Sequence, residues 1–148
     1  MKTHISVVIP AHNEEKYIKR CMDSIHKADG VFPGNTEIIV VCNRCTDKTE
    51  NIARANGAIV LLNEDRCIAK VRNTGIKGAK GRIIVTIDAD NRMTKGTLRE
   101  IYGLSSHILT VRWQKLEMQP VIIMNMKVMV NMAVVMVGVT INFQFNVL

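Results

Sequence analysis

Two carboxylates, Asp88 and Asp90, stand two residues apart at the end of the run Arg82-Ile83-Ile84-Val85-Thr86-Ile87. Hard anionic oxygens at that spacing suit a divalent cation, Mg²⁺ or Mn²⁺, of the kind that carries substrate phosphates. The apolar run before them predicts a strand buried on both faces, as in the interior of a parallel sheet. Acidic residues at the carboxyl end of such a strand emerge where α/β proteins bind their ligands. A solvated acidic turn is the plain alternative for an isolated Asp-x-Asp, so the weight falls on the elements upstream.

Those elements alternate. Ile5-Ser6-Val7-Val8-Ile9 reads as a first strand stopped by Pro10, which cannot continue a central ladder. Ala11-His12-Asn13 turns the chain, and Asn13 is expected to cap a helix that Glu14 and Glu15 begin. Ile18, Met22 and Ile25 give that helix one apolar face. After a loop through Pro33-Gly34 comes a second apolar run, Glu37 to Val41. Thr46 or Asp47 is expected to cap the next helix, which Gly57 closes. Ala58 to Leu62 makes a third strand, and a helix from about Arg66 to Ala79 leads to the strand carrying Asp88. Thr94 caps a further helix to about Tyr102. Strand and helix alternate at spacings too long for hairpins, which implies right-handed crossovers and a mainly parallel sheet flanked by helices on both faces.

The totals narrow the partners. The chain has 148 residues, 47% hydrophobic and 22% charged, which is enough for one domain with a real core. A net charge of +7 favours anionic partners: phosphorylated ligands, a membrane surface or nucleic acid. Aromatics are only 4% of the chain, so the stacking platforms of single-strand binders are scarce and nucleic acid is set aside. Four cysteines without a disulfide-rich spacing point to a reducing cytoplasm. The amino-terminal residues do not read as a signal peptide.

Beyond residue 103 the character changes. Glu117 is the only acid from there on, and six of the nine methionines lie between 118 and 136. Pro120 to Ile141 is long enough for a transmembrane helix, yet Lys127, Asn125 and Asn131 interrupt it and its valines suit strands. A segment foreign to this fold is the third reading. The expected division is therefore a core over 1–102 and an atypical apolar tail over 103–148.

Four stretches together resemble the family 2 glycosyltransferases of the GT-A fold. They are Val7-Val8-Ile9-Pro10-Ala11-His12-Asn13-Glu14-Glu15, Ile39 through Thr49, Val71-Arg72-Asn73-Thr74-Gly75-Ile76 through Gly81, and Ile87-Asp88-Ala89-Asp90. The resemblance covers roughly residues 4 to 102. It implies a Rossmann-like GT-A sheet that binds a UDP- or GDP-linked sugar across its strand ends. It further implies metal-dependent transfer of the sugar to an acceptor, saccharide or lipid-linked. By position, Pro10 and Ala11 lie against the base and Glu14 near the nucleoside. Helix capping explains Asn13 and Glu14 equally without a ligand. Asn43 stands where the family usually has an Asp that accepts from uracil, and an amide both donates and accepts. Arg72 matches a basic position near the diphosphate, although an exposed helix Arg explains it too. Asp90 is the first choice for metal, with Asp88 nearer the ribose.

No catalytic base is assigned, because the family draws it from the later half and nothing around Glu117 matches. A truncated nucleotide-binding domain without turnover is one rival. A nucleotidyltransferase is another, but Pro10 to Glu15 is not the glycine- and base-rich phosphate loop it would need. Cys42-x-x-Cys45 stands between a strand and a helix, as the redox pair of thioredoxin-like proteins does. No Trp precedes Cys42, however, and Pro10, Pro33 and Pro120 offer no facing partner. One Cys pair cannot fill a zinc site, and His4, His12, His26 and His107 fall at no ligand spacing.

Overall fold

Ile5–Ala11 forms β1, and all of its residues are buried, as a run with no polar alternation requires. The computed structural model describes residues 5–29 and 36–102, with the backbone of three later strands at 121–124, 131–136 and 139–144. After β1 come α1 (Ile18–Asp29), β2 (Thr36–Asn43), α2 (Thr49–Ala55), β3 (Ile59–Asn63), α3 (Ile68–Gly78) and β4 (Ile83–Thr86). The order β3-β2-β1-β4 is parallel throughout. The expected alternation of strands and helices is thus present. The Pro33-Gly34 loop and Glu117 lie outside the described residues.

Side chains leave a strand on alternate faces, and the core divides accordingly. Val7, Ile9, Val40, Cys42, Val85 and Ile87 join the apolar face of α1 and Ala53 of α2. Val8, Ile39, Val41 and Ile84 meet Val71 of α3 on the other side. In α1, Ile18, Cys21, Met22 and Ile25 are wholly buried, and each large aliphatic chain so placed contributes about 1.5–3 kcal/mol. Helix α3 lies close to the sheet because Gly75 has no side chain. A Cβ there would stand 2.3 Å from Val8 Cγ1 and 2.9 Å from Val41 Cγ2.

Two local expectations are corrected. Pro10 does not stop β1: it remains in the strand, in register with Val41. The carbonyl of Val8 accepts from Ile87 N, so Val8 and, two residues on, Pro10 face the β4 side. The β1–β4 pairing ends at Val8 and Thr86, so the missing N–H of Pro10 leaves no ladder bond unmade. Asn13 does not cap α1, which begins only at Ile18 after a turn over 15–17. Asn13 takes a left-handed conformation (φ 55°) and turns its side chain to another loop.

The later strands extend the same sheet. β5 (Val121–Met124) pairs in parallel with β4, and β6 (Asn131–Met136) and β7 (Val139–Gln144) follow antiparallel. Strands therefore occupy the described part of the stretch that is also long enough for a membrane span. Among the described residues no helix is long and apolar enough to cross a membrane.

Candidate functional site

The connections run from β1 out to β2 and β3, then return past β1 to β4. Between β1 and β4 the direction of winding reverses, and the carboxyl ends of two such strands enclose a crevice. The loop after β4 carries Asp88 and Asp90; the loop after β1 carries His12, Asn13 and Glu14. Sequence positions more than 70 residues apart are brought together by the sheet order alone.

Asp88 and Asp90 have different surroundings. Arg72 Nη2 donates to Asp88 Oδ1 at 2.8 Å, from one turn before Gly75 on α3. Arg72 Nε is sealed from solvent and has no acceptor. Asp90 is exposed and makes no hydrogen bond or ion pair among the described residues. Its charge is nonetheless felt by Glu14. Burial raises the Glu14 carboxyl above its usual range, and the negative charges of Asp90, Asp47 and Asp88 raise it further, against a lowering by His12.

Helix α1 holds this loop from behind. The Cys21 thiol donates to the Asp88 carbonyl at 3.8 Å, and burial, followed by Asp90 and Asp88, pushes that thiol up to about 12. Met93 N donates to the Ser24 hydroxyl at 2.9 Å, and that hydroxyl donates to the Cys21 carbonyl at 2.6 Å. The segment from Asp88 to Met93 is thus pinned at both ends to one helix.

Asn43, at the end of β2, is 7% exposed and fully engaged on one side. Its Nδ2 donates to Asn63 O (3.0 Å), Asn63 Oδ1 (3.1 Å) and Asp65 O (2.7 Å). Three acceptors around one atom identify it as the amide nitrogen. The remaining oxygen, Oδ1, meets only Arg44 Nε at 3.4 Å. His12 Nδ1–H donates to the Asn43 carbonyl at 2.6 Å, which ties the ends of β1 and β2 together.

A set of reciprocal bonds joins the loops after β1 and β2. Thr46 N donates to Asn13 Oδ1 at 2.8 Å, and Glu14 N to Thr49 Oγ1 at 2.8 Å. Glu15 N donates to Asp47 Oδ2 at 3.0 Å, while Lys48 N returns a bond to Glu15 Oε2 at 3.1 Å. Neither Thr46 nor Asp47 takes the expected N-cap position of α2, which is Lys48, but Asp47 Oδ1 accepts from Thr49 N, the first residue of the helix, at 2.9 Å. Burial raises the Asp47 carboxyl, but the bonds from Thr49 and Glu15 outweigh it and hold it below the usual range.

The expected site residues therefore gather at one end of the sheet. Asp88, Asp90, Arg72 and Glu14 surround the β1–β4 crevice. Asn43 stands at the neighbouring strand end, and Asn13 serves the loop tie. Pro10 and Ala11 are buried within β1, paired with Val41 and Cys42. Sequence reasoning overlooked Ser24, Asn63 and the Glu15–Asp47 pair. Asn63 and Asp47 are short polar residues beside turns, a pattern shared with ordinary caps, and Ser24 is a polar residue within α1. Among the described residues no group of three His, Cys, Asp or Glu side chains converges as a complete metal cage. Two carboxylates are enough for a cation that takes its other oxygens from phosphates and water, and of the two Asp90 is the one without a partner among the described residues.

Comparison with known proteins agrees with this geometry. Residues 6–107 match the family model described as glycosyl transferase family 2. An uncharacterized protein of Methanocaldococcus jannaschii is 40% identical over 97 residues, which cover 62% of this chain and 37% of that one. The structure of Staphylococcus aureus TarS 1-349 in complex with UDP superposes with a TM-score of 0.63 at 30% identity, over 71% of this chain and 32% of that 1-349 chain. Glucosyl-3-phosphoglycerate synthase of Mycobacterium tuberculosis, solved with Mn²⁺, UDP and glucosyl-3-phosphoglycerate, gives 0.55 at 26% identity, over 74% and 41%. The sheet and its helices are those of the GT-A fold. The chain spans well under half the length of each of these proteins.

Proposed function

This chain belongs to glycosyltransferase family 2, and from that premise we propose that its strand-end crevice binds a nucleoside diphosphate sugar, UDP- or GDP-linked, for transfer of the sugar to an acceptor hydroxyl. The observation that carries the reading is the pairing of opposites at the switch point. The guanidinium of Arg72 is ion-paired to Asp88, and Asp90, two residues on, is exposed with no partner among the described residues.

Each residue then has a role its surroundings support. Arg72 neutralises Asp88 on one side and offers its remaining Nη N–H groups to diphosphate or ribose oxygens. Asp90, with Asp88, would hold Mg²⁺ or Mn²⁺, whose chemistry here is Lewis-acid stabilisation of the departing diphosphate. Asn43 has spent its donors within the fold and presents an acceptor alone. That suits an imino N–H, which uracil and guanine both carry. Pro10 and Ala11 shape the floor below the base, and Glu14 closes the crevice beside the nucleoside. The family match favours transfer over the nucleotidyltransferase alternative.

The test is release of UDP or GDP from a panel of nucleotide sugars, with and without saccharide and lipid-linked acceptors. Acceptor-dependent release that needs Mn²⁺ or Mg²⁺ is expected. Release equal in EDTA would remove the metal from the reading, and no release from any donor would overturn transfer.

A further inference from the structure

Cys42 and Cys45 have no part in that chemistry, yet the fold brings them to one place beside it. Cys42 is buried at the end of β2, with Ala11 of β1 as its Cα partner. The Cys45 thiol donates back to the carbonyl of that same Ala11 at 3.4 Å. Between them Arg44 takes a left-handed conformation (φ 49°), which folds the chain back on itself. Both side chains pack into one apolar cluster, against the same residue of β1, Ala11. Two free thiols brought to one residue of β1 across a two-residue turn form a pair, which an isolated buried cysteine does not.

We propose that Cys42 and Cys45 are a reversible modification site, an intramolecular disulfide formed by exchange with a low-molecular-weight disulfide of the glutathione class, which weakens nucleotide binding. The half-buried Cys45 is the sulfur that enters first. Its thiol gives a proton to solvent, and the thiolate attacks one sulfur of the small disulfide. That S–S bond breaks, a mixed disulfide forms on Cys45, and one small thiolate leaves and takes up a proton. Cys42 then loses its proton as its sulfur displaces the second small thiolate and closes the Cys42–Cys45 bond. Two protein thiols are oxidised by two electrons, and the small disulfide is reduced to two thiols. Burial and the neighbouring Cys45 push the Cys42 thiol up to about 12, so Cys42 reacts only as the intramolecular partner of the second step.

The consequence for binding rests on the nucleotide reading above. Oxidation removes the Cys45 hydrogen that Ala11 O accepts. It also puts Asn43 and Arg44 inside a closed ring, which shifts the Asn43 acceptor that the nucleotide reading assigns to the base. The test uses the full chain carrying Cys67→Ser, which removes the exposed thiol. This variant is incubated with glutathione disulfide, then with dithiothreitol. Intact mass and peptide mapping should show loss of two hydrogens and a Cys42–Cys45 linkage. Affinity for UDP with Mn²⁺ should fall about tenfold and return on reduction. Adding Cys45→Ser should abolish both the linkage and the redox response. A lasting mixed disulfide, or no loss of thiols, overturns the site; a linkage with unchanged UDP affinity overturns its effect on binding. A reduced protein that does not bind UDP would contradict the nucleotide reading instead, and the mass measurement would still decide the disulfide.

Discussion

Asp90 and Glu14 carry the electrostatic argument in opposite directions. Asp90 has a charge that no described group neutralises, so replacing it removes a ligand and little structure. Asp90→Asn is expected to retain the parent melting temperature to within a few degrees and to lose at least about tenfold in metal-dependent UDP affinity. Unchanged affinity by calorimetry would make Asp90 a surface turn residue. Glu14 is held above its ordinary range by burial and by Asp90, Asp47 and Asp88. The fold therefore favours its protonated form. That advantage is full below the unfolded value and is lost as pH rises through the raised folded value. Glu14→Gln should accordingly melt higher than the parent at pH 7, and the gap should close near pH 4. Thermal melts at the two pH values check this, and a variant less stable at pH 7 would contradict it.

At the scale of elements, the closeness of α3 to the sheet sets the reach of Arg72. A methyl at Gly75 would strike Val8 Cγ1 at 2.3 Å, inside the packed face between α3 and the strands. Alanine favours a helix by up to about 1 kcal/mol over glycine, but overpacking costs about 1–3 kcal/mol. Gly75→Ala is therefore expected to lower the urea midpoint and, by lifting α3, to weaken UDP binding more than stability alone explains. Ser24→Ala leaves the buried Met93 N–H without its acceptor, at a cost of about 1–3 kcal/mol in the same measurement. Neither effect is legible in the sequence. Gly75 reads as one glycine in a helix until α3 is seen to cross Val8 and Val41, and Ser24 reads as a polar residue on an amphipathic helix. Asn13 shows the same gap. Its residue type suits a cap, but its partner, Thr46, is 33 residues away, and no local pattern distinguishes the two uses.

For the whole molecule, the strands were legible because parallel strands buried on both faces are unbroken apolar runs, and β1, β2 and β4 are such runs. The positions of Asp88 and Asp90 followed from that, since a carboxylate after a buried strand has only the strand end to occupy. The ion pair of Asp88 with Arg72 was not legible, because it depends on the approach of α3 to the sheet. Nor did the pattern resolve the apolar stretch after residue 120, where strand and span share the same composition; there β5 pairs with β4, β6 with β5 and β7 with β6. What unites these observations is a basic chain, net +7, that concentrates carboxylates at one crevice. That arrangement has a physical rationale if a cation and a phosphate-bearing ligand enter together. The most direct test is isothermal titration calorimetry of the chain with UDP and with GDP, each in Mn²⁺ and in EDTA. The account predicts saturable heat with at least one nucleotide in Mn²⁺, lost or greatly weakened in EDTA. Equal heats in both buffers, or none in either, would contradict it.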